Sequence, residues 1–200
     1  MVSPRPVNIG LLGTGFILND FHLPALREVP GARVVAVAGR TGVKTDGFAR
    51  KWGIKKRFHG DGAIERLCKD PDVDAVLVAL PNDLHLPAIT LAAENGKDVI
   101  CEKPLGRNLR EADEALRIVR SQRVIHCYAE NQIFIPQIER ARSFIQGGVL
   151  GKVTWVRSRE AHSGPHSRWF WDPERAGGGV LLDMGCHSIE VTRHLIGTNP

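Results

Sequence analysis

No two cysteines in this chain stand at C-x-x-C spacing; the four present, Cys68, Cys101, Cys127 and Cys186, are scattered. With no small secreted scaffold either, free thiols in a reducing compartment are expected. Long apolar runs are also missing. The longest are strand-length, too short to cross a bilayer as a helix, and no charged-then-apolar leader opens the chain. The expectation is a soluble, cytoplasmic protein with no membrane partner. Internal repeats and low-complexity segments are absent as well. Basic residues exceed acidic ones to give a net charge of +5, but they are dispersed, and only Lys55-Lys56-Arg57 form a run. That run is read as a solvated patch, so no nucleic-acid partner is expected.

What is present suits a globular protein. At 200 residues, 42% hydrophobic and 24% charged, the chain can bury a real core in one or two domains. "VNIGLLG" (7–13), "ARVVAVAGR", "VDAVLVALP" and "DVICEKP" are short apolar runs of the kind that form buried parallel strands. Helices are expected between them at 16–28 (with Pro24 as a break or kink), 43–52 and 84–95, and after them at 109–120. Strands alternating with helices of this length mean βαβ units and a doubly wound parallel sheet. "RVIHCYAE" reads as one more strand, 136–146 as a helix closed by Gly147-Gly148, and "KVTWVRSREAH" as a strand of an antiparallel sheet. Two domains follow, 1–125 and 126–200. The C-terminal one is expected to be incomplete, because one strand and two helices cannot close a sheet.

The first strand runs through Gly10 and Gly13-Thr14-Gly15 into the first helix. Glycine there lets a backbone approach a pyrophosphate, and a helix N-terminus offers N–H groups and positive dipole. Gly13, Thr14, Gly15, Phe16 and Ile17 are therefore candidate dinucleotide contacts. The third fingerprint position is Leu18 rather than a small residue. The second strand ends in Arg40-Thr41, with Lys44 nearby, where an NAD site usually carries an acid. A guanidinium and a hydroxyl suit a 2′-phosphate, so NADP(H) is preferred and NAD(H) is the second choice.

"GGGVLLDMGCHSIEVTRHLIG" (177–197), read as one helix, stacks Asp183, His187, Glu190 and His194 on a single face. A catalytic metal held by these residues with His162 and His166 is disfavoured, since H-x3-H here spans a Ser-Gly-Pro loop. Glu190 and His194 are read as a structural carboxylate–imidazole pair.

Four motifs in this order, "GLLGTGFI", "VDAVLVALPNDLH", "EKPL" and "GGGVLLDMGCH", give the chain a resemblance to the glucose–fructose oxidoreductase / inositol dehydrogenase (Gfo/Idh/MocA) family, over nearly its whole length. The resemblance implies an N-terminal Rossmann domain and a C-terminal α/β domain whose open sheet helps form the substrate pocket and often the oligomer interface. It implies an NAD(P)-dependent oxidoreductase acting on a sugar, cyclitol or related polyol, and a homo-oligomer, dimer or tetramer, through the completed second domain. Lys103 matches the family's active-site lysine, with Glu102 and Pro104 beside it. Pro81, Asn82 and His85 match a loop along the cofactor, and Asp183 and His187 the acid and histidine of D-x-G-x-H. Histidine can accept and return the hydroxyl proton, Lys103 can stabilise a developing oxyanion, and Asp183 can orient the imidazole or bind a substrate hydroxyl. Arg168 and Trp171, in the loop before the helix, are candidate substrate contacts. The family also holds NAD-dependent glycoside hydrolases and non-catalytic dinucleotide-binding regulators. Its members usually exceed 300 residues, so this chain is expected to be a piece of a longer one.

Overall fold

The structure is a computed structural model and describes residues 5–197. It divides into two compact units, one through Tyr128 and one from Ala129.

The first unit is built on six strands: β1 (Val7–Leu12), β2 (Ala32–Gly39), β3 (Lys56–His59), β4 (Ala75–Val78), β5 (Asp98–Cys101) and β6 (His126–Tyr128). All are parallel, in the order β3-β2-β1-β4-β5-β6. The helices are α1 (Leu23–Arg27), α2 (Gly42–Trp52), α3 (Ala63–Cys68), α4 (His85–Glu94) and α5 (Leu109–Ser121). Alternate side chains of β1 feed two separate cores. Ile9 and Leu11 pack with Leu18, Leu23, Phe48 and Ala49 of the α1–α2 side. Leu12 packs with Leu67, Ile89 and Val119 of the α3–α5 side. This is the doubly wound arrangement that the continuous apolar runs predict, since a strand covered on both faces needs no polar side.

The first helical stretch is not a plain α-helix. Residues Leu18–His22 form a π-turn, with Leu23 N–H donating to Leu18 O, and α1 begins with Pro24 in its first turn. Proline cannot donate to the residue four back, and its ring crowds that carbonyl, so a widened turn before it relieves both. The edge strand β3 and α3 lie in a stretch where the sequence suggests neither. In the basic run, Lys56 Nζ sits 2.6 Å from both Asp70 and Asp72, and Arg57 Nε 3.3 Å from Asp46.

In the second unit, α6 (Pro136–Gln146) is followed by a 3-10 turn at Arg168–Trp171 and by α7 (Pro173–Ala176), α8 (Val180–Asp183) and α9 (Gly185–Ile196). Asp172 caps α7 by accepting from Glu174 N–H at 3.0 Å. Two sequence expectations are corrected here. Residues 152–162 form no strand, because no other described segment supplies a backbone partner, and a strand does not persist without one. The striped helix is interrupted at Met184, which ends α8 and precedes α9. Asp183 and His187 thus lie on different helices. Among the described residues no helix is long and apolar enough to cross a membrane.

Candidate active site

In a parallel sheet of this order the strand ends β1, β2, β4 and β5 open at one edge, and β1 and β4 flank the point where the winding reverses. Gly13, just past β1, has φ +116°, and a Cβ on it would stand 2.3 Å from Ala79 O. Only glycine fits there. Its N–H donates to Ala38 O at 2.8 Å, which ties the turn to β2. Gly15 differs: it is exposed, and an added Cβ would meet nothing within 4 Å. Packing does not demand a glycine at that position, but close approach of a ligand to the backbone would. Thr14 is half-buried, Ile17 likewise, and Phe16 is 40% exposed with its ring edge-on to Phe21. Leu18, where the fingerprint has a small residue, is fully buried in the α1–α2 core. The residues fit a dinucleotide pyrophosphate, with the departure at Leu18 absorbed by the core.

Beyond β2, Arg40 and Thr41 are exposed, and Thr41 stands at the N-cap of α2 in an extended conformation. Lys44 is exposed in the same first turn, which contains no acidic residue. Two cations near the positive end of a helix repel its dipole, an arrangement that an anion would relieve.

The turns after β4 and β5 are braced to each other by His85. Its ring is fully buried, with Nδ1 2.7 Å from Pro104 O and Nε2 2.9 Å from Leu80 O. Burial lowers its pKa, against the pull of the two carbonyls. The ring therefore lies behind the loops, and the turn in front of it carries half-buried Pro81 and buried Asn82. Glu102 holds the lysine turn from the other side. Its Oε2 accepts from Lys103 N–H at 3.1 Å, and its Oε1 lies 2.6 Å from Nε2 of His22, which follows the glycine loop. The Lys103–Pro104 peptide is cis. Sequence reasoning missed His22; its only signal was a histidine just before Pro24, in the helix that leaves the glycine turn.

In the second unit His187 is buried, and its Nδ1 lies 2.6 Å from Oε2 of buried Glu130. The approach is close but bent away from ideal hydrogen-bond direction. Glu130 is therefore the acid beside the imidazole; of the two roles the sequence left open for Asp183, orienting the ring falls to Glu130 and binding a substrate hydroxyl stays open. Asp183 ends the helix before Met184, and His187 belongs to the one after it. Asp183 lies 3.8 Å from Nε2 of His162. The pairing of Glu190 with His194 is also corrected: Glu190 binds Arg193 at 2.8 Å, and His194 Nε2 meets Glu139 Oε1 at 2.5 Å. Arg168 and Trp171 are exposed on their 3-10 turn, Trp171 by 76%.

Of the six residues with metal-ligand chemistry in the sequence, His162 lies 3.8 Å from Asp183 and its ring stacks on His166, whereas His187, Glu190 and His194 meet Glu130, Arg193 and Glu139. Among the described residues, Glu130, Cys186 and His187 bring three ligand-type atoms within 4.8 Å. Two atoms sharing a tetrahedral zinc at about 2.1 Å would stand about 3.4 Å apart. The 2.6 Å carboxylate–imidazole approach is that of a direct pair.

Comparison with known proteins decides the family. Residues 7–130 match the model of the Gfo/Idh/MocA oxidoreductase family with its NAD-binding Rossmann fold, and residues 138–200 match a Gfo/Idh/MocA C-terminal domain. The chain belongs to this family. It is 34% identical over 190 residues to trans-1,2-dihydrobenzene-1,2-diol dehydrogenase of Mus musculus, covering 94% of this chain and 56% of that protein. Among solved structures it is similar to the aldose-aldose oxidoreductase of Caulobacter crescentus complexed with glycerol, at TM-score 0.85 and 26% identity, over 96% of this chain and 58% of that one. It is similar also to levoglucosan dehydrogenase in complex with NADH and levoglucosan, at TM-score 0.79 and 29% identity, over 96% and 55% of the two chains. The chain thus spans little more than half the length of these Gfo/Idh/MocA relatives.

Proposed function

We propose that this Gfo/Idh/MocA chain carries the cofactor-binding part and the proton-handling residues of an NAD(P)-dependent dehydrogenase acting on a hydroxyl or carbonyl carbon of a sugar, cyclitol or related polyol. The observation that carries this reading is the edge of the parallel sheet, where strained Gly13 and open Gly15 stand beside the Arg40, Pro81 and Lys103 turns. Relatives named as dehydrogenases of levoglucosan and of a dihydrodiol support it. When bound, nicotinamide dinucleotide supplies the acceptor or donor of hydride. Gly13 to Ile17 would take the pyrophosphate, with Pro81, Asn82 and Glu102 along the cofactor and His85 holding their loops. Arg40, Thr41 and Lys44 would take a 2′-phosphate, so NADP(H) is the preferred form, although a similar structure holds NADH.

Each remaining role is assigned on the chemistry of the side chain. His187 takes the hydroxyl proton on oxidation and returns it on reduction. Lys103 donates to the substrate oxygen as charge develops on it, and also lies on the cofactor turn. Asp183 and Arg168 bind substrate hydroxyls, and the exposed Trp171 face covers an apolar sugar face. Four free cysteines fit a reducing, cytoplasmic setting, and the complete protein is proposed to be a homo-oligomer through its second domain.

An absorbance assay of the full-length protein on a panel of sugars, cyclitols and polyols, with both cofactors, tests the reading. Steady cofactor reduction is expected, with Lys103→Ala and His187→Ala each losing about 10²–10⁴-fold in kcat. Dinucleotide binding without reduction on any panel member would sink the dehydrogenase reading, and tighter NAD(H) than NADP(H) binding would sink the cofactor preference.

A further inference from the structure

We propose that Glu130 is a positioning residue for this chemistry: its carboxylate holds Nδ1 of His187, keeps the hydrogen of the neutral ring on that nitrogen, and leaves Nε2 as the atom that exchanges the substrate proton. The inference rests on the reading of His187 as the proton carrier and names the group that prepares it.

Glu130 is 3% exposed and His187 8%. One carboxylate oxygen is anchored: Oε1 accepts from Gln132 N–H at 2.9 Å. Oε2 lies 2.6 Å from His187 Nδ1, an ion-pair contact outside directed hydrogen-bond geometry. An ionised carboxylate only accepts, and two lone pairs facing at 2.6 Å would repel, so the contact favours hydrogen on the nitrogen beside it. A neutral imidazole with hydrogen on Nδ1 has its lone pair on Nε2. Ring orientation and tautomer are thereby set by one contact within the second unit. Other acids of the unit meet other partners: Glu139 meets His194, Glu190 meets Arg193, and Asp183 faces His162. Beside the ring, Cys186 directs its thiol to Asp183 O at 3.3 Å.

The proton step then balances. As the substrate O–H breaks, N–H forms at Nε2; a bound nicotinamide would supply the acceptor for the hydride given up by the carbon. The imidazolium so formed lies against the Glu130 carboxylate, which favours the charge at the moment it appears. The reverse reaction returns the same proton from Nε2. Burial gives the pair a second consequence: removing the carboxylate leaves a ring free to take the other tautomer, with no lone pair on Nε2.

The test combines nitrogen NMR of the histidine rings with kinetics in the full-length protein, the His187 signals being identified by their loss in His187→Gln. In the unsubstituted protein the neutral ring is expected with hydrogen on Nδ1. Glu130→Ala is expected to shift the tautomer toward Nε2–H and to lower kcat roughly 10- to 100-fold, within the contribution of a positioned base, while KM for the dinucleotide stays within about twofold. Glu130→Gln, whose amide oxygen can still accept from Nδ1, is expected to recover part of the loss. An Nε2–H tautomer in the unsubstituted protein would overturn the inference, even if Glu130→Ala does not fold. So would a Glu130→Ala protein that loses thermal stability but keeps tautomer and kcat. Full turnover by His187→Gln would overturn the proton assignment and this inference together. Lost turnover in His187→Gln with an unchanged tautomer in Glu130→Ala would overturn this inference alone.

Discussion

Through Tyr128 the interior is apolar and layered, with Leu11, Leu12, Val37, Leu67, Leu77 and Ile89 at most 2% exposed. From Ala129 onward, Ala176 and Val191 are the buried hydrophobic residues among those described, while Phe134, Val180 and Leu181 are each more than 70% exposed. The second unit is tied instead by polar pairs: Glu130 with His187, Glu139 with His194 and Ser158 with Ser188. The contrast separates two tasks. Apolar burial supplies most folding free energy, whereas polar pairs contribute little net stability but fix ring orientations.

Thiol labelling probes that contrast without any substitution and should show the largest difference. Burial pushes the Cys68 thiol up to about 11, and burial also raises that of Cys101, whereas Cys127 is exposed and Cys186 partly so. Both buried thiols belong to the first unit, and a thiol reagent reaches them only when it opens. Labelling should run fastest at Cys127, then Cys186, with Cys68 and Cys101 slower by on the order of 10³-fold or more, as stability of several kcal/mol requires. Mass spectrometry of labelled peptides reads the order. Cys68 reacting as fast as Cys186 would break the comparison.

Paired truncations ask the same question through stability. Leu11→Ala opens a cavity in a closed core and should cost about 2–5 kcal/mol in urea unfolding. Leu181→Ser, at a side chain 76% exposed, should stay within about 0.5 kcal/mol. Equal costs would mean that the second unit has a core of its own around Leu181.

The glycine turn gives a smaller effect and divides fold from function inside the first unit. Gly13→Ala places a Cβ against Ala79 O at positive φ and should cost about 1–3 kcal/mol, measured by denaturant unfolding. Gly15→Ala meets no protein atom within 4 Å, so stability should hold while dinucleotide affinity falls about tenfold or more. Unchanged affinity in Gly15→Ala would remove the pyrophosphate from this turn.

The two units were also unequally legible in the sequence. Apolar runs such as 75–78 announce buried parallel strands because burial on both faces leaves no alternation to confuse with anything else. Helix α6 was readable to its ends, since Pro136 opens it and Gly147 closes it. Strand β3 was not, because Lys-Arg-Phe-His at a sheet edge has neither an apolar run nor clean alternation. The motif residues of the candidate site were all visible, but their partners were not. Glu130 and His187 are far apart along the chain, and no local pattern records a pairing that folding alone creates. The stripe of residues 183–194 misled for a related reason: helical spacing assumes one continuous helix, whereas Met184 separates the helix of Asp183 from that of His187.

The smallest effect belongs to a polar pair of the first unit. Asp74 accepts from Arg5 at 2.7 and 2.9 Å and from Asn8 N–H at 2.8 Å. The Arg5 guanidinium first, then the Asn8 N–H, pull its carboxyl down to about 2, from an ordinary value of 3.8. A folded-state pKa below the unfolded one stabilises the fold above about pH 4, and that stabilisation is lost as pH falls toward 2. Because Arg5 is largely exposed, solvent screens the pair, and its contribution should be only about 0.2–1 kcal/mol. Asp74→Asn should therefore lower stability slightly at neutral pH, with the two proteins converging as pH approaches about 2. Unfolding curves across that range read the difference. A gap that persists at the acid end would place the loss in packing rather than in charge, and the first unit would then depend on its rim more than its apolar layers imply.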